Sequence, residues 1–164
     1  ILDMPQNINQ RYTGNDSIIR SEGCAVCCAC DVASYYKKSN YTLTQMRNAG
    51  VYSTTSALCY WGNVPSAKFT QYSGQSQSTY FSKMRTELNA KRPVLVHMTY
   101  GDDVSHWVVV YGYTGNGTSR SDFMVLDPYK SEVSDPIGED ISLAKSMQIQ
   151  GANTINQLRL TSAK

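Results

Sequence analysis

The chain has 164 residues, of which 41% are hydrophobic and 17% are charged, and its formal net charge is +2 at pH 7. This length supports one hydrophobic core, so we predict a single domain over residues 1–164, and the small net charge argues against a nucleic-acid-binding surface. The sequence has neither an apolar run of the roughly eighteen residues that a membrane span needs nor a signal-peptide pattern at its start, so it predicts no membrane span.

The first half of the chain is predicted to be mainly helical. After a polar, irregular segment over residues 1–20, nearly all residues from Gly23 to about Lys38 are small or apolar, which predicts a helix buried on most of its surface. Shorter helices are expected over residues 44–49, 53–61 and 79–91, and the last of these ends before a proline.

The start of the first predicted helix is rich in cysteine, with Cys24, Cys27, Cys28 and Cys30 inside seven residues. Cys24 follows Gly23 at the turn into the helix, where unpaired backbone N–H groups and the helix dipole favour a thiolate. Gly23 is expected to let the backbone approach a substrate carbonyl, and the Cys24 amide can then donate to the developing oxyanion. The other three cysteines lie further along the helix and are interpreted as small apolar core residues.

Beyond Pro93 the pattern changes to that of β-structure. Runs of β-branched and aromatic residues at 94–100, 107–113 and 123–126 predict three strands of an antiparallel meander, and residues 155–160 predict one more strand. Residues 127–151 are expected to form a loop and one short helix. Helices followed by antiparallel strands predict the α+β class.

The two histidines have different expected roles. His97 lies in mid-strand among apolar residues, where a core histidine hydrogen-bonded to a neighbour is more common than a catalytic one. His106 lies between a polar loop and a strand, so its ring can be held at the edge of the sheet. If residues 114–121 connect a hairpin, Asp127 comes to lie beside His106 and can orient the imidazole, although Asp127 also fits a simple Asp-Pro turn.

A zinc site is the main competing interpretation of the cysteines. The spacings Cys24-x-x-Cys27 and Cys27-x-x-Cys30 match half of a zinc site, but only Cys59 and the two dispersed histidines are available to complete it. We therefore expect no structural metal.

A non-catalytic binding domain is a further class. It would use tyrosine-rich surface to hold a glycan or a peptide, although such side chains are more often half-buried at the edge of a core. The candidate residues are Tyr35, Tyr36, Tyr41, Tyr52 and Tyr60.

The order of several motifs resembles a known family. The motifs are Gln10, Gly23-Cys24 at a helix start, Arg92-Pro93-Val94-Leu95-Val96, Ser105-His106-Trp107-Val108-Val109-Val110-Tyr111-Gly112 and Phe123-Met124-Val125-Leu126-Asp127-Pro128. Over roughly residues 3–130 the chain resembles the bacterial papain-fold cysteine peptidases grouped with the bacteriocin-leader-processing (double-glycine) peptidases. Many members carry Gly-Pro after the nucleophile, where this chain carries Ala25-Val26.

The resemblance implies a papain-like fold, in which a nucleophile helix packs on an antiparallel sheet, and no cofactor. It implies Cys24 as the nucleophile, His106 as the general base and later the general acid, Asp127 as the orienting residue and Gln10 as an oxyanion-hole donor. Gln10 rests on the resemblance alone, because by position it is an ordinary surface glutamine. The implied reaction is peptide-bond hydrolysis through a thioester. A peptidoglycan amidase or endopeptidase is the first alternative, and a non-catalytic papain-fold binding module is the second.

The expected partners and location follow from these interpretations. The substrate would be a peptide, a protein or a peptidoglycan stem peptide, and we expect a monomer. Ser, Thr, Asn, Gln and twelve Tyr supply most of the polarity, which favours an extracellular or cell-surface setting. Because the sequence begins at Ile1 without an initiator Met, we expect a processed product or a domain of a larger bacterial or phage protein.

Overall fold

The computed structural model of the chain describes residues 1–6, Ile19, residues 22–129 and residues 141–164. The α-helices in these residues are α1 (Cys24–Lys37), α2 (Leu43–Asn48), α3 (Gln77–Asn89) and α4 (Leu143–Gln150). The strands are β1 (Ala67–Ser73), β2 (Val94–Tyr100), β3 (Val104–Tyr113), β4 (Phe123–Leu126), β5 (Ile141–Ser142) and β6 (Thr154–Ala163). Short 3-10 helices occupy Trp61–Asn63 and Arg120–Asp122.

The strands form one antiparallel sheet in the order β1-β6-β2-β3-β4-β5. The neighbours β2, β3 and β4 confirm the predicted meander, and β2 and β4 have the predicted bounds. The late strand β6 lies between β1 and β2, so it joins the first strand of the sheet to the meander. None of the helices described has the length and apolar character needed to cross a bilayer.

Side chains alternate between the two faces of the sheet along each strand, so both faces carry apolar residues. A different set of helices covers each face. On one face α1 packs against the sheet, and Val26 and Val32 belong to one core cluster with Leu95 and Val109. On the other face residues of α3 and α4 form a second cluster with the alternate residues of β2 and β3, among them Val108. The predicted α+β architecture, with a helix beginning at Cys24 packed on an antiparallel sheet, is confirmed.

The helix predicted over residues 53–61 is wrong. The Ser53 hydroxyl accepts hydrogen bonds from the backbone N–H groups of Thr55 and Ser56 at 3.3 and 3.1 Å, and the Ser53 amide donates to the Ser56 carbonyl. These short-range bonds form a turn in place of a helix, a known competition for serine and threonine. The segment continues as a loop up to the 3-10 helix that begins at Trp61.

Candidate active site

Cys24 and His106 line the same cleft, which has a volume of about 600 Å³. Cys24 is the first residue of α1, and His106 lies near the start of β3, so the cleft opens where the helix begins beside the sheet. Its remaining wall includes Cys59 and Trp61, which precede β1, and Trp107 of β3. A half-exposed thiol and a histidine therefore face one solvent-accessible cavity.

The imidazole of His106 is bonded to a buried carboxylate. Its Nε2 lies 2.7 Å from Oδ1 of Asp127, and the two residues are only 5% and 2% exposed. The pairing of Val109 with Leu126 in the β3–β4 hairpin brings Asp127, which follows β4, next to His106. The structure thus brings these two predicted residues together in the predicted way.

Asp127 is held by two further hydrogen bonds. Its Oδ1 also accepts from the backbone N–H of Tyr129 at 2.9 Å, and its Oδ2 accepts from the hydroxyl of Ser146 at 2.7 Å. Ser146 lies on α4 and is fully buried. Sequence reasoning missed this serine, because only the packing of α4 beside β4 brings it to the carboxylate.

The surroundings of His106 favour its protonated form. Burial lowers the pKa of the imidazole, but hydrogen bonds and charge interactions with Asp127 and with Cys24 exceed that effect and raise the pKa from 6.5 to about 9. Because Nε2 is engaged by Asp127, Nδ1 is the nitrogen that remains to exchange a proton with a group in the cleft. These interactions therefore favour the imidazolium form of His106 near neutral pH.

Gly23 was expected to allow a substrate carbonyl to approach the backbone, but the structure shows a close contact within the chain itself. A Cβ atom built on it would lie 2.6 Å from the carbonyl oxygen of Ile19 and 2.7 Å from its Cα. The Gly23 amide also donates to that carbonyl at 2.9 Å. Gly23 is thus required by the close approach of the preceding backbone. The expected approach of a substrate carbonyl stays a prediction.

The other cysteines differ from Cys24 in their environment. Cys27, Cys28 and Cys30 are fully buried in the core cluster under α1, which confirms their interpretation as core residues, and burial raises the pKa of the Cys28 and Cys30 thiols. Cys59 lines the cleft, and burial is the main cause that raises its pKa to about 12. Within the described ranges, no three Cys, His, Asp or Glu side chains converge as metal ligands would.

His97 is hydrogen-bonded as expected, but it lies at the wall of the cleft and is only half-buried. Its Nδ1 lies 3.0 Å from Oδ1 of Asn156, and its Nε2 lies 2.7 Å from the hydroxyl of Ser105. Since a carbonyl oxygen only accepts, Nδ1 carries the proton and Nε2 accepts from the serine. Burial lowers the pKa of His97, so its ring is neutral near pH 7.

Two predictions remain: Gln10 as an oxyanion-hole donor and a tyrosine-rich binding surface. Gln10 lies outside the described residues, so its role as an oxyanion-hole donor stays a prediction. The hydroxyls of Tyr36 and Tyr41 bond to buried or half-buried neighbours and Tyr52 is buried, whereas Tyr60 is exposed. These tyrosines do not share one exposed face.

A known protein family matches most of the chain. Residues 3–146 match the model of the Peptidase_C39 like family. The matched range includes both the Cys24 segment and the His106–Asp127 hairpin. No curated protein matches the chain. The match agrees with the helix-on-sheet architecture expected of a papain-like peptidase fold.

Proposed function

Because the chain belongs to the Peptidase_C39 like family of cysteine peptidases, we propose that it hydrolyses peptide bonds with Cys24 as nucleophile, His106 as general base and acid, and Asp127 as the orienting residue. The observation that carries the proposal is the buried His106–Asp127 pair, 2.7 Å apart, beside a cleft that Cys24 also lines. A positively charged imidazole next to a thiol favours the thiolate, which is the reactive form of cysteine.

The proposed reaction begins with attack of the Cys24 thiolate on the carbonyl carbon of the scissile bond. The carbonyl π electrons move onto oxygen, and we expect the Cys24 amide, in the first turn of α1, to donate to that oxygen. Gln10 is the second donor expected from the sequence. Collapse of the tetrahedral intermediate breaks the C–N bond, and His106 Nδ1 gives its proton to the leaving amine.

The second half of the reaction releases the acyl group. Neutral His106 takes a proton from water, the resulting hydroxide attacks the thioester carbonyl, and the C–S bond breaks to give a carboxylic acid and the Cys24 thiolate. The Asp127 carboxylate orients the imidazole and stabilises the imidazolium each time it forms. Its bonds to Ser146 and to the Tyr129 amide fix the carboxylate for this purpose.

Selective alkylation tests the assignment of the nucleophile. At mildly acidic pH, iodoacetamide should modify Cys24 first, and His106→Ala should slow that modification by about tenfold or more, since the thiolate loses its counter-ion. Peptide mapping by mass spectrometry gives the site. Cys59→Ser is the matched control because Cys59 lines the same cleft, and we expect it to leave the rate at Cys24 unchanged. Equal, slow labelling of all cysteines would contradict the proposal.

Turnover assays then test the reaction. We expect purified chain to cleave casein, and Cys24→Ser to lower kcat by a factor on the order of 10³ or more, whereas Cys59→Ser retains activity. Purified peptidoglycan is tested in parallel: release of stem-peptide fragments with casein left intact would replace the protease by a cell-wall hydrolase. Absence of turnover on both substrates, together with unreactive Cys24, would favour a non-catalytic binding module.

A further inference from the structure

Arg159 is a half-buried cation of β6 that has no counter-ion among the residues that the structure describes. The ion pairs found among the described residues are Arg92–Glu87 and His106–Asp127, so neither of them includes Arg159. Its Nε is buried and has no hydrogen-bond partner. Burial lowers the pKa of the guanidinium, but arginine stays charged at any ordinary pH. A charge that has lost part of its hydration without gaining an acceptor costs free energy, which a ligand can restore.

The position of Arg159 links it to the cleft. Its guanidinium carbon lies 5.0 Å from the ring centroid of Trp61 and 5.9 Å from that of Trp107, and both tryptophans line the cleft that contains Cys24. The charges of Arg159 and of Cys24 both act on the thiol of Cys59. Arg159 and the proposed nucleophile are therefore both neighbours of Cys59, and the two indoles hold the guanidinium in place by cation–π contact.

A second polar group close to Arg159 is also unsatisfied. In the parts of the chain that the structure describes, the buried side-chain N and O atoms without a hydrogen-bond partner are Nε of Arg159 and Oε1 of Gln157. These residues lie two positions apart on β6, so they share a sheet face, and Gln157 pairs in register with His97 at the wall of the cleft. Neither residue lines the cleft itself, but Arg159 adjoins two of its tryptophans and Gln157 adjoins His97, so both exceptions to polar satisfaction lie beside one wall of the cleft, which points to a missing ligand.

The chemistry of the site selects the ligand. A guanidinium offers planar pairs of N–H donors that match the two oxygens of a carboxylate. Glu22 is the acidic side chain among the residues that line the cleft; it is exposed and forms no ion pair with Arg159. A peptide substrate itself supplies carboxylates, either on Asp and Glu side chains or at a free carboxyl terminus.

We propose that Arg159 determines specificity by binding a carboxylate of the peptide substrate near the scissile bond. This inference rests on the proposed peptidase function, because it assigns a substrate preference to the same cleft. The ion pair would form on a partly dehydrated surface beside two indoles, so it contributes more than an exposed pair would. The preference should appear mainly in KM, since Arg159 contacts a remote part of the substrate and not the reacting atoms.

The test uses peptides that differ only in charge. A mixture of short peptides is first digested, and mass spectrometry identifies the most rapidly cleaved sequence. Matched versions then carry Glu or Gln at each position around the scissile bond, and a free or an amidated carboxyl terminus. Wild type should prefer one carboxylate-bearing version by about tenfold or more in kcat/KM. The comparison of Glu with Gln peptides detects recognition of a side-chain carboxylate. The comparison of free with amidated peptides detects recognition of a carboxyl terminus.

Variants identify the residue responsible. Arg159→Gln should remove the preference by lowering kcat/KM on the carboxylate-bearing version to the value for the uncharged version, and Arg159→Lys should retain only part of the preference, because an ammonium lacks the paired donors. Lys68→Gln, which removes an exposed positive charge from β1, is the matched control and should keep the full preference. An equal preference in wild type and Arg159→Gln, or none in wild type, would overturn the inference.

A binding measurement separates this inference from the proposed function. Calorimetric titration of Cys24→Ser with the same peptide pairs needs no turnover, and the carboxylate-bearing version should bind about tenfold more tightly. If no peptide is cleaved but this difference is present and disappears in Cys24→Ser/Arg159→Gln, the proposed chemistry fails and the carboxylate site stands. If peptides are cleaved but both versions bind equally, the carboxylate site fails alone. Circular dichroism checks that each variant is folded.

Discussion

Asp127 accepts three hydrogen bonds, from His106, from the Tyr129 amide and from Ser146. A carboxylate with both oxygens occupied cannot rotate away without leaving buried donors unsatisfied. The charge that stabilises the imidazolium is therefore fixed before any substrate arrives, which is the preorganisation that a catalytic base needs.

The pH dependence of this pair gives a prediction for Asp127→Asn. The pKa of His106 is raised from 6.5 to about 9, so its contribution to the free energy of unfolding is fully present below about pH 6.5 and is lost as the pH rises through about 9. A neutral amide at position 127 removes the main cause of the raised pKa. We expect the wild-type decrease in unfolding free energy between these pH values to become smaller in the variant, as measured by urea denaturation.

The pH dependence of kcat/KM should also change in Asp127→Asn, because the same imidazolium is required for activity. The alkaline limb of kcat/KM, which reports loss of the imidazolium, is expected near pH 9 in wild type and at lower pH in Asp127→Asn. Asp103→Asn, which neutralises an exposed carboxylate in the turn before β3, is the control and should leave both profiles unchanged. An unmoved alkaline limb in Asp127→Asn would show that Asp127 does not tune His106.

The residues near the cleft were predictable to different degrees. The pairing of His106 with Asp127 follows from local sequence, because hairpin register is set by two adjacent strands and the loop between them. Ser146 was not predictable, since its contact with Asp127 depends on the packing of a helix that is remote in the chain. Arg159 was missed for the same reason: its neighbours Trp61 and Trp107 come from distant segments.

Among the elements, α1 depends on the tight entry at Gly23. A methyl group there would meet the backbone of Ile19 below 3.0 Å, and backbone atoms cannot move aside as the end of a side chain can. Gly23→Ala should therefore lower the unfolding free energy by about 1–3 kcal/mol and displace the start of α1, which carries Cys24.

The measurement for this variant combines chemical denaturation with the rate of Cys24 alkylation. Gly62→Ala is the control, because nothing lies within 4 Å of a Cβ at Gly62 and its φ is not positive. We expect the control to change the unfolding free energy by no more than about 0.5 kcal/mol. Equal stability of the two variants would mean that the close approach at Gly23 is relieved without cost.

Element prediction failed where local chemistry or an edge position weakened the pattern. Polar hydroxyls at residues 53–56 capture backbone groups and prevent the predicted helix. The edge strand β1 was not predicted, because its sequence is largely polar and most of its side chains are exposed. By contrast, β2, β3 and β4 consist largely of buried apolar residues and were found correctly, since central strands carry a strong apolar signal.

For the whole molecule, β6 is the strand that connects both parts of the sheet. Leu158 of β6 pairs with Tyr72 of β1 and with Val96 of β2, and it is fully buried. Leu158→Ala should lower the unfolding free energy by about 2–5 kcal/mol, whereas Ser162→Ala, an exposed position on the same strand, should change it by no more than about 0.5 kcal/mol. Urea unfolding curves give both values, and similar midpoints for the two variants would contradict this role of β6.

The place of β6 in the sheet also sets an order of events during translation. The segments that carry Cys24, His106 and Asp127 are synthesised before Thr154–Ala163, whereas β1 has β6 as its sheet neighbour and must wait for it. Trp61, just ahead of β1, waits as well, and Arg159 is itself part of the late strand. The segments that carry the proposed reactive groups are therefore complete before the strand that carries the residue proposed to choose the substrate.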